Sequence, residues 1–286
     1  MKNMIILVVF LFMSIGGIAQ KNNDNFTVMS YNIRMNSPND GINIWDNRKK
    51  WLTESIRFFD GEIVGAQEVT YTQLKDLEAL LPNYRSIGKG REGGKKGEYS
   101  PIFYNEDRFE VLESDTFWLS ETPEKLGSKS WDSSLPRIVT WAKFEDKNTR
   151  KIFYFFNTHF DHRGEVARKK SAEIITAKIE EIVGDEPVIL TGDFNTAPDS
   201  EAYTILVDNE MEDTFSNLDE NQIYTPGYTF NSWDVEAKGD RYRIDYVFYK
   251  GNELLPVKYH VLDGQRGRRF ISDHFPVIVE FKWNNK

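Results

Sequence analysis

Oxygen and nitrogen donors recur where apolar, β-rich runs of this chain end. The segment PVILTGDFN (187–195) runs from a strand-like stretch into Gly192, Asp193 and Asn195. In extended backbone Asp193 and Asn195 point to one side and Phe194 to the other. A carboxylate and a carboxamide on one face can grip a metal-bound oxyanion. The same residue types also make an Asx turn, and the segment alone leaves both readings open. The rest of the chain favours the first. Asn32 ends FTVMSYN, Glu68 ends EIVGAQE, and His159 and Asp161 end FFNTHFD. Asp245 lies within RIDYVFY, and Asp273 and His274 lead into FPVIVEF. Burying unpaired charge is costly, so this many carboxylates and imidazoles beside apolar strands imply convergence on one cation. Carboxylate and amide oxygens without thiolates suit Mg²⁺ or Mn²⁺ better than Zn²⁺. The sequence HFDH (159–162) has the outline of a zinc motif, but the second histidine such a motif needs is missing at Phe160.

Composition narrows the class. The 286 residues are 40% hydrophobic and 14% aromatic, enough for a full core. There is no cysteine, hence no disulfide, thiolate ligand or thiol nucleophile. Lys2, an apolar run over 4–15 and Gly17-Ile18-Ala19 have the form of a signal peptide cleaved after Ala19. The expectation is residues 1–19 as signal and 20–286 as one domain, exported (periplasmic or extracellular) and not membrane-inserted. Net charge is −9, and loss of Lys2 makes it −10. That balance argues against a promiscuous nucleic-acid binder, whose affinity comes from neutralising phosphates. A phosphate ester remains possible where a metal and local arginines supply the field.

The elements that must position these side chains alternate between strand and helix. Strands are predicted over 26–33, 62–69, 100–104, 109–118, 137–144, 152–160 and 187–190. Later ones fall over 228–233, 243–249, 257–261 and 275–282. Helices are predicted over 45–59, over 70–81 behind the capping box Thr70/Gln73, and over 164–183 ended by Gly184. A shorter helix, capped by Asp199, runs through Val207. The glycine-rich loop GKGREGGKKG (88–97) lacks phosphate-loop spacing and reads as mobile and solvated. Trp45, Trp118, Trp131 and Trp233 read as core.

Six motifs occur in order: NIR (32–34), QE (67–68), NTHFD (157–161), GDFN (192–195), RIDYVF (243–248) and SDHFPV (272–277). Together they resemble the endonuclease/exonuclease/phosphatase superfamily, with the secreted bacterial branch related to nocturnin-type deadenylases most similar. The resemblance implies a DNase I-like four-layered α/β sandwich, two packed mixed sheets flanked by helices. It implies that Asn32 and Glu68 hold the metal and that Asp273 touches it. Asp193 would position or deprotonate water, and Asn195 would hold a phosphoryl oxygen. His274 would face the scissile phosphate, oriented by Asp245, and His159 would serve as a second phosphate-side histidine.

Arg137, Arg163 and Arg168 lie near these motifs, and the basic run QRGRRF (265–270) precedes Asp273. Arg137, Arg163 and Arg268 are the substrate-binding candidates; solvation is the competing reading for each. The expected activity is metal-dependent phosphoester hydrolysis by water, foremost on phosphodiesters of a nucleic acid or nucleotide. The alternative is a phosphomonoesterase or lipid-headgroup hydrolase acting on sugar, inositol or sphingolipid phosphates. A non-catalytic binding protein on the same scaffold is the third reading; the intact Glu68, Asp193, Asn195, Asp245 and His274 argue against it. No protein partner is implied.

Overall fold

A computed structural model describes residues 24–236 and 241–284; the expected signal segment lies outside them. The elements, in order, are β1 (Asn25–Asn32), α1 (Trp45–Phe58), β2 (Gly61–Gln67), α2 (Tyr71–Leu80), β3 (Tyr84–Ile87) and β4 (Ile102–Asn105). There follow β5 (Phe109–Trp118), β6 (Ile138–Asp146), β7 (Ile152–His159), α3 (Glu165–Val183), β8 (Val188–Asp193) and α4 (Glu201–Asp208). The chain ends with β9 (Glu212–Asp213), β10 (Ile223–Tyr224), β11 (Asp245–Lys250), β12 (Leu254–Val261) and β13 (Val277–Trp283). One sheet has the order β10-β12-β13-β1-β2-β4-β3, the other β5-β6-β7-β8-β11-β9.

Two-residue alternation along the strands builds the layers. In β1, Phe26 and Val28 face the second sheet, while Met29 and Tyr31 face α1 and α2. In β7, Phe153 and Phe155 face the first sheet, while Tyr154 and Phe156 face α3 and α4. Three apolar clusters result, one between the sheets and one under each helix pair. They define the four-layered sandwich that the motifs implied. Each fully buried phenylalanine in these clusters is stabilised by roughly 2 kcal/mol relative to exposure.

The pairing decides where the polar strand ends meet. β1 and β2 are parallel through the crossover helix α1, and β7 and β8 are parallel through α3. β13 runs antiparallel to β1, and β11 antiparallel to β8. The C-terminal ends of β1, β2, β7 and β8 therefore share one rim with the N-terminal ends of β11 and β13. In register, Asp193 lies beside His159 on one flank and Asp245 on the other.

Beneath that rim the sheets touch through polar groups. Gln67 Nε2 donates to Asn157 Oδ1 at 2.7 Å, and Thr191 Oγ1 donates to the same oxygen at 3.0 Å. Asn157 Nδ2 donates to the carbonyls of Ala66 and Pro101, and Gly192 N–H donates to Ser30 Oγ. Gly65 makes this approach possible. A Cβ there would lie 2.0 Å from Thr191 Oγ1 and 2.6 Å from Asn157 Oδ1.

Several sequence expectations need correction. The segment 228–233 is not a strand; it touches the sheet through the single bridge Phe230–His274. Thr229 Oγ1 accepts the N–H groups of Ile244 and Asp245, Asn231 Oδ1 accepts Trp233 N–H, and Ser232 and Trp233 are left-handed. The side chains there take hydrogen bonds that a ladder would use. Ser200, not Asp199, caps α4, accepting from Tyr203 N–H. The capping box at Thr70 and the helix stop at Gly184 are present as expected.

Gly65→Ala should lower unfolding free energy by about 1–3 kcal/mol, the usual penalty for overpacking. Urea denaturation would show it, and an unchanged midpoint would refute the account of the sheet contact.

Candidate active site

The rim opens into a cleft of about 350 Å³ lined by Glu68, His159, Asp193, Asn195, Asp273 and His274, among others. At its floor, Asp193 ends β8 and is 1% exposed. Asn32, ending β1, donates from Nδ2 to Asp193 Oδ2 at 2.9 Å and to Glu68 Oε1 at 3.2 Å. His159 Nε2 lies 3.4 Å and His274 Nε2 3.7 Å from the same Asp193 oxygen. His274 Nδ1 contacts Asp245 Oδ2 at 2.9 Å. Five residues separated by up to 242 positions thus meet around one carboxylate.

Local backbone geometry aims the acids. Glu68 directly follows β2 with φ 61°, which breaks the strand alternation and turns its side chain toward β1. Its Oε2 accepts Met35 N–H at 3.0 Å. Asn195 is also left-handed, with φ 49°, and its N–H donates to Asp193 Oδ1 at 3.0 Å. GDFN therefore forms an Asx turn whose Asp193 and Asn195 both line the cleft; strand alternation is not what brings the two side chains together. Asn195 Nδ2 donates to the Phe160 carbonyl, and its second N–H remains for a ligand in the cleft. Behind the site, Ser272 Oγ donates to the Asn32 carbonyl, and Arg48 Nη1 donates to the carbonyls of Ile33 and Ile271. These bonds tie the segment leading to His274 onto the end of β1.

Charge is unevenly distributed. Burial, then the charge of Asp245, raises the Asp193 carboxyl well above the usual carboxylate range. Burial acts to lower the His274 pKa, but Asp245 and Asp193 outweigh it and hold the imidazole protonated. Burial and Arg137 push His159 the other way, toward the neutral form. Burial also raises Asp273, opposed by His274 and reinforced by Glu68. Arg34 is the nearest further cation, yet it is committed to Asp40 through two 2.9 Å hydrogen bonds. It stands off Glu68 and Asp273 at 3.9 and 3.8 Å. Two carboxylates that share one guanidinium, itself hydrogen-bonded to a third acid, suit a hard divalent ion, and both offer oxygen donors.

Asn32, expected to help hold the metal, is hydrogen-bonded to both Glu68 and Asp193 here. Its Oδ1 accepts Arg34 N–H at 3.0 Å, so the amide presents N–H, not oxygen, to the cleft. It orients Glu68 and Asp193. A tight acidic group able to hold a cation comprises Asp193, Asp245 and His274, but the 2.9 Å Asp245–His274 contact is better used to fix the imidazole. Asp161 is structural. Burial would raise its carboxyl, but Ser134 Oγ and the N–H groups of Gly164, Arg163 and Ser134 hold it far below the usual range. It pins the approach to β6 against the start of α3.

Among the arginines, Arg137 lines the cleft and is 4% exposed. Arg163 does not line it; its side chain is exposed ahead of α3. Arg268 is also outside, exposed in a left-handed turn and 3.7 Å from Glu236. The structure thus brings Arg137 to the site and leaves Arg163 and Arg268 apart from it. Sequence reasoning missed Arg91, Glu98, His162 and Phe230 in the cleft wall. The loop 88–97 is internally hydrogen-bonded and buries Arg91, while Glu92 and residues 94–96 are exposed; the signal was the Arg91/Glu98 pair flanking its glycines.

A mixed two-sheet sandwich with acids and histidines converging at one rim defines a phosphoesterase scaffold of the DNase I-like kind. Residues 29–274 match the Endonuclease/Exonuclease/phosphatase family, and the chain belongs to it. An endonuclease/exonuclease/phosphatase from Bacteroides vulgatus is similar at 40% identity and TM-score 0.86, covering 91% of this chain and 99% of that one. The mannosyl-6-phosphatase of Bacteroides thetaiotaomicron is similar at 38% identity and TM-score 0.83, covering 90% and 99%. The human nocturnin catalytic domain shares the fold at 20% identity and TM-score 0.71, over 91% and 95%.

Asp245→Asn should leave the imidazole of His274 in place but remove the charge that holds it protonated. Turnover should fall by about 10²–10⁴-fold, as in other carboxylate–histidine pairs. Steady-state kinetics on folded variant checks this; a change below threefold would refute the role.

Proposed function

We propose that the protein is an exported phosphoester hydrolase that uses water as nucleophile and requires Mg²⁺ or Mn²⁺. The observation that carries the reading is the meeting of Asn32, His159, His274 and, across Asn32, Glu68 on the single buried carboxylate Asp193. Glu68 and Asp273 would hold the ion, with Asn32 fixing Glu68. A divalent ion bound there neutralises charge on the phosphoryl and leaving oxygens. Asp193, with its raised pKa, suits proton removal from water. His274, held protonated by Asp245, and the amide of Asn195 donate to equatorial phosphoryl oxygens. His159, held neutral, can accept a hydrogen bond or position the leaving group.

Between the two substrate classes weighed from sequence, we favour a small phosphomonoester over a nucleic-acid diester. The net charge of −9, the confined cleft of about 350 Å³ and the similarity to a mannosyl-6-phosphatase support a sugar-phosphate type of substrate. Export is supported by Lys2, the apolar run 4–15 and Gly17-Ile18-Ala19.

Asp193→Ala, Asn195→Ala and His274→Ala should each cut turnover by about 10²–10³-fold or more while unfolding temperatures stay near wild type. EDTA should abolish wild-type activity and Mn²⁺ should restore it. Absence of metal-dependent turnover across monoesters, diesters and oligonucleotides would sink the proposal. Separately, N-terminal sequencing of protein recovered after secretion should begin at Gln20; an intact Met1 would contradict export by cleavage.

A further inference from the structure

We propose that Arg91 and Arg137 form a paired guanidinium seat for the dianionic phosphoryl group of a monoester, making the cleft selective for monoesters over diesters. The inference rests on the phosphoester hydrolase reading above. Both side chains line the cleft that holds Asp193 and Asn195, and the residues are 8% and 4% exposed. Neither guanidinium is saturated. Arg91 donates from Nη1 and Nη2 to Glu98 at 2.9 Å each, which leaves a second N–H on each of these nitrogens, while its Nε is buried away from the cleft. Arg137 reaches Asp161 from Nε at only 3.4 Å and His162 Nδ1 at 3.0 Å. Asp161 is already occupied by shorter bonds from Ser134 and Gly164. A guanidinium has five N–H donors, so several remain for a ligand.

The pair is built, not incidental. Arg91 is held by a hairpin in which Trp118 Nε1 donates to the Arg91 carbonyl at 2.7 Å and Tyr99 Oη to the Gly94 carbonyl at 2.9 Å. A Cβ at Gly90 would lie 2.1 Å from the Lys96 carbonyl, so glycine permits the tight return. Burial and the Arg91 charge both act against the Arg137 cation. Glu98 and Asp161 each pair with one of the two guanidiniums, so the seat works through the N–H donors those pairs leave over, which gain from an anion in the cleft. A monoester dianion offers three terminal oxygens and a second charge. A diester offers two such oxygens and one charge, so it gains less from a second guanidinium.

The test compares p-nitrophenyl phosphate with bis-p-nitrophenyl phosphate in wild type and Arg91→Gln, with thermal unfolding followed in both. The ratio of monoester to diester kcat/KM should fall about 10–100-fold in the variant, the cost expected for lost charge-assisted hydrogen bonds. An unchanged ratio in folded variant overturns the inference while leaving the hydrolase reading intact. No wild-type turnover of either ester would instead overturn that reading. Should Arg91→Gln not fold, wild type still decides: inorganic phosphate should inhibit at least tenfold more tightly than diethyl phosphate, and equal inhibition refutes the seat.

Discussion

The close approach of the two sheets at one end is the constraint on which the site depends. Side chains of ordinary size separate stacked sheets by about 10 Å. Here Gly65 contributes none, and Asn157, Gln67 and Thr191 fill the gap with hydrogen bonds. The amide of Asn32 on one sheet can then reach the carboxylate of Asp193 on the other at 2.9 Å. Away from this end the same interface is filled by Phe26, Phe153, Phe155 and Phe281. The polar contact therefore sets the alignment of the sheets while the aromatic cluster supplies the larger share of stability.

That alignment has an electrostatic consequence. Asp193, Asp245, Asp273 and Glu68 come from four separate parts of the chain, and burial penalises Asp193 and Asp273 as anions. His274, Arg34 and Arg48 are the cations that act on Asp273, and Arg34 is shared with Asp40. Folding thus builds a site that favours added positive charge at its acidic pole. In the proposed seat, Arg91 and Arg137 would take the negative phosphoryl group. A metal-bound phosphate ester has this polarity along its length, which links the packing of the sandwich to the chemistry assigned to the cleft.

Positioning is distributed over residues that do no chemistry. Arg48 binds carbonyls on both the β1 exit and the segment before Asp273, so one buried guanidinium sets the distance between two site segments. Asp161 gathers the N–H groups of Ser134, Leu135, Arg163 and Gly164, which keeps Arg137 and His162 at the cleft wall. In sequence Asp161 was legible as part of the NTHFD motif but not as a gatherer of N–H groups, and Arg48 carried no signal. Their partners are carbonyl and amide groups, which carry no residue identity.

The sequence by itself determined the longer strands and the helices, the capping box at Thr70, the stop at Gly184 and the acids, amides and histidines at strand ends, because these follow from local periodicity and capping; the short β3, β9 and β10 were not legible. It misjudged 228–233, where an alternating pattern yields to Thr229 and Asn231 binding the backbone. Only the tertiary structure decided that Asn32 turns N–H toward the cleft, that Arg91 is buried while Arg163 and Arg268 are not, and that Asp193 lies between two histidines. Those outcomes depend on register and on how closely the sheets approach. Both are set by contacts between residues far apart in the chain, such as Gly65 with Thr191, which no local pattern reports.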